Sequence, residues 1–190
     1  ANDVRDGLGS WSEQDIVDFL KRGASKQATA FGPMAEVVHE STSHLDDAQL
    51  HAIAVYLKDA PQTGSASPAA QPPSDAATRG AGLYLDQCAG CHMAHGEGLA
   101  GAFPPLKGNG VVQAGDAETL VHLVLTGESA ASTRARPNRF AMPAFDWKLS
   151  DAEIADLATY VRSAWGNQAS PVSAATVAGI RGKVEHIVEQ

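Results

Sequence analysis

Only two of the 190 residues are cysteine, so whatever thiol chemistry the chain performs is confined to one short stretch. Aromatic residues make up 6% of it, which leaves any core thin unless an added apolar group fills the centre. Positive charge is in deficit: 14 Lys and Arg stand against 22 Asp and Glu, a formal charge of -8. Such an acidic balance excludes nucleic acid as the expected partner and suits docking on a basic patch. No run reaches the roughly eighteen apolar residues that a membrane-spanning helix needs. No secretory leader is visible from Ala1 onward. What remains, 44% hydrophobic and 19% charged, is an ordinary composition for one or two small globular domains.

The two thiols lie in Cys88-Ala89-Gly90-Cys91-His92. Two cysteines at this spacing can each form a thioether to a haem vinyl group, and the adjoining imidazole then reaches the iron from the proximal side. A six-coordinate haem needs a second axial ligand, and a soft thioether sulfur favours ferrous iron. Phe140-Ala141-Met142-Pro143-Ala144-Phe145 supplies one in a stiff, apolar loop, whereas Met93 adjoins His92 and cannot reach the opposite face. His92 and Met142 are therefore the expected axial pair. A proximal histidine donates its other ring N–H to an acceptor. In Phe103-Pro104-Pro105-Leu106 either proline carbonyl, that of Pro104 or of Pro105, can take this role. Covalent haem attachment places the chain outside the bacterial cytoplasm, so an export signal is expected and the sequence reads as a mature or truncated piece.

Residues 61–78, rich in Pro, Ala, Ser and Gly without apolar periodicity, read as a linker. It separates a block at 1–60 from a second at 79–167, and a tail covers 168–190. The blocks repeat one another: Leu45 to Lys58 and Leu149 to Arg162 align their apolar positions without a gap at helical spacing. Ile16–Gly23 and Leu120–Gly127 form a second matching pair, and each precedes a methionine, Met34 or Met142. The first block thus looks like the second with its front end missing. Helices are expected at 12–22, 34–40, 46–58, 76–88, 117–126 and 151–164, with weak strand signals throughout. Gly80, Tyr84 and Cys88 share one helix face, on which Gly80 leaves room for the helix carrying Leu157 and Tyr160 to cross.

Other polar and aromatic residues are weighed against plainer roles. His39, His44, His51 and His95 read as solvated, and His122 as a core or surface histidine. Arg134, Arg136 and Arg139 can pair with haem propionates or stand in solvent. Trp147 and Tyr160 are candidates for packing at the haem edge, with ordinary core packing the alternative. The stripe Val177, Ile180, Val184, Ile187 marks a short amphipathic helix that docks on its own domain, on a partner or at a membrane surface. A catalytic haem enzyme of peroxidase or thiosulfate-oxidising type needs an open distal position, which Met142 opposes. A disulfide or zinc module at Cys88 and Cys91 lacks its usual setting.

With these residues in view, block 79–167 resembles a class I cytochrome c domain. The whole chain resembles the cytochrome c subunit of bacterial membrane-bound alcohol, gluconate, sorbitol and aldehyde dehydrogenases, which carry three haem domains in tandem. The stretches that carry the resemblance include Gly9-Ser10-Trp11-Ser12, Gly32-Pro33-Met34, Cys88 to His92, Phe103 to Asn109, Ala141 to Phe145 and Trp165-Gly166-Asn167. It implies an all-α fold, with one complete cytochrome c domain preceded by a partial one. It implies one covalent haem c, and Met34 as the distal ligand of a second haem whose cysteines are absent here; the alternative is that block 1–60 is a haemless remnant that only packs. Finally, it implies electron transfer without catalysis: from the catalytic subunit of a periplasmic dehydrogenase to ubiquinone or another acceptor, with the chain periplasmic and peripheral on the inner membrane.

Overall fold

The computed structural model describes Asp3, residues 7–61 and residues 74–188, with side chains to residue 184. Most of the linker expected at 61–78 lies outside these residues, as does the side chain of Ile187. The end of that stretch is not linker: residues 75–78 are helical, capped by the Ser74 hydroxyl, which accepts from the Ala77 N–H. Among these residues the fold is all-α apart from one two-stranded ladder.

In the first block, α1 (Glu13–Arg22) and α3 (Asp47–Asp59) pack together, with α2 (Gly32–Glu40) between them in sequence. Capping explains both starts. The Ser12 hydroxyl accepts from the Asp15 N–H while the Asp15 carboxylate accepts from the Ser12 N–H, and Asp46 and Gln49 repeat this reciprocal pair at α3. Ile16, Leu20, Leu50 and Ala54 form the buried seam, with Trp11 and Phe19 packed beside it. Full burial of each large apolar side chain contributes roughly 1.5–3 kcal/mol.

The second block contains α4 (Asp75–Gln87), the single turn α5 (Ala89–His92), α6 (Gly110–Gln113), α7 (Glu118–Thr126) and α8 (Asp151–Ser163). Strands β1 (Glu128–Ser129) and β2 (Ala141–Met142) pair antiparallel, Glu128 opposite Met142. The dominant contact is α4 across α8. A Cβ on Gly80 would overlap the carbonyl of Asp156, so only glycine permits this approach. Tyr84, Tyr160 and Trp165 pack as a ring cluster at the crossing, with centroids 4.9 to 5.6 Å apart. The helix carrying Leu157 and Tyr160 is thus the one that crosses at Gly80, through Asp156 and Tyr160, while Leu157 turns inward to the core.

The internal repeat extends to structure. Ser150 and Glu153 cap α8 as Asp46 and Gln49 cap α3. Gly23 and Gly127 close α1 and α7 with positive φ, each donating its N–H back to the helix. Lys58 and Arg162, at equivalent positions, both donate to backbone carbonyls: Lys58 to Leu8 and Gly9, Arg162 to Val112, Ala114, Asp116 and Ser170. The tail forms α9 (Ala174–Val188), which buries Val177 and Ile180 against α7 and α8. The Val177 and Ile180 part of its stripe therefore packs on its own domain. Among the described residues no helix is long and apolar enough to cross a membrane.

Candidate haem site

Between α5, α7, α8 and the Met142 loop lies an apolar cavity with about 1350 Å³ of empty space, counting its open mouth. Cys88, Cys91 and His92 line it, as do Met142, Phe103 and Phe140. The sequence brings the first three together because α5 is one turn long: Cys91 and His92 both donate their N–H groups to the Cys88 carbonyl. Tyr84 steadies the exit of this turn by donating its hydroxyl to the Met93 carbonyl at 2.6 Å, where Met93 holds a left-handed φ of 64°.

His92 Nδ1 lies 2.9 Å from the carbonyl oxygen of Pro104. Of the two prolines, Pro104 is therefore the acceptor; the Pro105 carbonyl instead takes a hydrogen bond from Asn109 Nδ2 at 3.0 Å. Donation from Nδ1 fixes the tautomer and leaves the Nε2 lone pair free. Burial pulls the His92 pKa below its ordinary value and outweighs the bond to Pro104, so the ring stays neutral. Burial, aided by Cys91, pushes the Cys88 thiol up to about 11.

The opposite wall is held by α7. Phe145 N–H donates to the Val124 carbonyl at 3.0 Å and Asp146 N–H to that of Leu125 at 3.3 Å, so the Met142 loop hangs from the end of this helix. Gly127 follows directly, where any side chain would strike the backbone of Met142 and Pro143.

Other residues read from the sequence fall elsewhere. Trp147 is 78% exposed and donates its indole N–H to the Ala144 carbonyl, and it does not line the cavity. An exposed tryptophan beside a ligand loop has the same sequence appearance as a buried one. Tyr160 packs in the α4–α8 crossing instead of on the cavity wall. Arg134 and Arg139 are exposed. Arg136 is buried, donating to the carbonyls of Gly101, Ala102 and Ala131 and lying 5.7 Å from the Phe140 ring centre. Met34 lies in the first block at 39% exposure, away from this cavity. His39 is exposed yet not merely solvated, since its Nδ1 donates to the Ser132 carbonyl at 2.6 Å. The sequence reading missed Phe31, Ala28 and Thr29, which reach the cavity from the first block. Among the described residues no three His, Cys, Asp or Glu side chains converge as a metal-binding cluster.

The residues fit haem c: two thiols and a neutral, oriented imidazole at one wall, a thioether on the lining, and an apolar interior for the macrocycle. An all-α domain built round such a pocket defines a c-type haem domain. Residues 77–165 match the family model for cytochrome c. The chain is 36% identical over 92 residues to cytochrome c-552 of Thermus thermophilus, covering 69% of that protein and 46% of this one. It is 39% identical to the gluconate 2-dehydrogenase cytochrome c subunit of Pantoea cypripedii, over 94% of this chain and 43% of that one. It is 41% identical to the cytochrome c subunit of the alcohol dehydrogenase (quinone) of Gluconobacter oxydans, over 92% of this chain and 39% of that one. The chain belongs to the cytochrome c family. It spans about two fifths of the length of the dehydrogenase subunits it matches.

Proposed function

We propose that this chain is the electron-transfer part of a periplasmic dehydrogenase complex. It accepts electrons from the catalytic subunit and passes them to ubiquinone or another respiratory acceptor, from a peripheral position on the inner membrane. The observation that carries this reading is the cavity lined at once by Cys88, Cys91, His92 and Met142. The likeness of more than nine tenths of the chain to subunits named for gluconate and alcohol dehydrogenases supports the choice of partner.

When bound, haem supplies one-electron chemistry at iron. The chain's own residues do the rest. Cys88 and Cys91 would anchor the group covalently, His92, held in place by Pro104, would bind its iron, and the Met142 thioether on the lining would supply a further ligand that opposes small-molecule catalysis. The apolar lining excludes water.

Met34 serves a second haem completed by a segment outside this sequence. The repeat supports this: on α8 the face of Tyr160 is covered by α4, whereas on α3 the equivalent Tyr56 is 78% exposed. Such a face waits for a helix like α4.

Mixing the haem-loaded chain with the dehydrogenase catalytic subunit and its substrate tests the reading. Reduction seen in the haem absorption bands, dependent on that substrate, is expected. Haem that stays ferric beside an active catalytic subunit contradicts it.

A further inference from the structure

The wall of the haem cavity is not built by one domain. Segment 27–31 of the first block crosses to the second and is tied at both ends. The Gln27 carbonyl accepts from Asn109 Nδ2 at 3.3 Å, and the same amide group donates to Pro105, next to the carbonyl that orients His92. Three residues on, the Ala30 carbonyl accepts from the Ala131 N–H at 3.1 Å, two residues past β1, the strand that pairs with Met142. Ala30, Val38 and Ala131 then form a small core of their own, all at 1% exposure or less. The strap therefore joins the proximal loop to the distal loop. Its inner side presents Ala28, Thr29 and Phe31 to the cavity.

We propose that Phe31 sets the reduction potential of the haem, as a positioning and water-excluding residue supplied by the neighbouring block. The inference rests on the reading that the cavity holds haem. Ferric haem carries one more positive charge than ferrous haem, and water near the iron stabilises the charged form. An aromatic ring in the wall keeps that water out and favours reduction. The position has a second consequence. Phe31 is the N-cap of α2, and Met34 lies one turn further along the same helix. One helix thus starts at this haem pocket and carries the methionine proposed for the next.

The test is potentiometric titration of the full haem-loaded chain carrying Phe31→Gln, Phe31→Ala or Phe31→Leu, with covalent haem per chain measured alongside. Phe31→Gln is expected to shift the reduction equilibrium about tenfold toward ferric, ~59 mV for a one-electron couple. Phe31→Ala, which opens the wall without adding a polar group, moves it in the same direction. Phe31→Leu keeps the apolar cover and stays within about twofold of the parent. Equal potentials in all four proteins at equal haem content overturn the inference. Absence of haem from the parent chain overturns instead the reading on which it rests.

Discussion

Gly80 and Asp156 meet backbone to backbone where α4 crosses α8, with no space for even a methyl group between them. Alanine normally stabilises a helix relative to glycine by about 1 kcal/mol. Here the sign reverses. The new Cβ also lies 2.8 Å from Tyr160 Cβ, so neither neighbour can yield without moving a helix. Gly80→Ala is expected to lower unfolding free energy by about 1–3 kcal/mol in denaturant titration.

The His92–Pro104 bond is exposed to a different substitution. Gly98 has φ +67°, and a Cβ there would lie 2.5 Å from the Phe103 carbonyl oxygen and 2.7 Å from that of Pro104. Gly98→Ala displaces the acceptor and makes the imidazole a less basic ligand. A poorer donor stabilises ferric iron less, so the midpoint potential is expected to rise. A fall, with haem retained, would contradict this role for Pro104.

Met142→Ala removes the thioether and is expected to lower the potential on the order of 100 mV, within the ~0.8 V that axial ligation commands. The same variant binds carbon monoxide or cyanide where the parent resists them. Unchanged potential and unchanged ligand binding would remove Met142 from the axial position.

Arg162 is 1% exposed and holds the carbonyls of Val112, Ala114, Asp116 and Ser170 together, joining the α6 region to the tail. Arg162→Met leaves these acceptors buried without this donor. At roughly 1–3 kcal/mol for each unsatisfied group, the loss of stability should exceed about 3 kcal/mol, read from the shift of the unfolding midpoint.

Much of this molecule is readable from its sequence where local chemistry and a repeat agree. Helices α1, α3 and α8 fall within a residue or two of expectation because Ser12, Asp46 and Ser150 cap them, and α7, which has no side-chain cap, does so because its apolar positions recur at helical spacing. The turns α5 and α6 are too short for periodicity to register. The pairing of Glu128 with Met142 comes from tertiary placement, since two residues carry no strand pattern. The thiols, His92 and Met142 announce themselves by motif. Phe31 does not, because its role depends on the Gln27–Asn109 and Ala30–Ala131 hydrogen bonds between distant segments. Trp147 misleads for the converse reason: its place in sequence beside the Met142 loop says nothing of the direction in which it points.

Covalent haem per chain, measured by denaturing intact mass beside a haemochrome assay of total haem, tests the central claim most directly. The account predicts one covalent haem on this chain, lost from the Cys88→Ser, Cys91→Ser double variant. A chain matured in a periplasm with haem-attachment machinery that still carries no haem would contradict it.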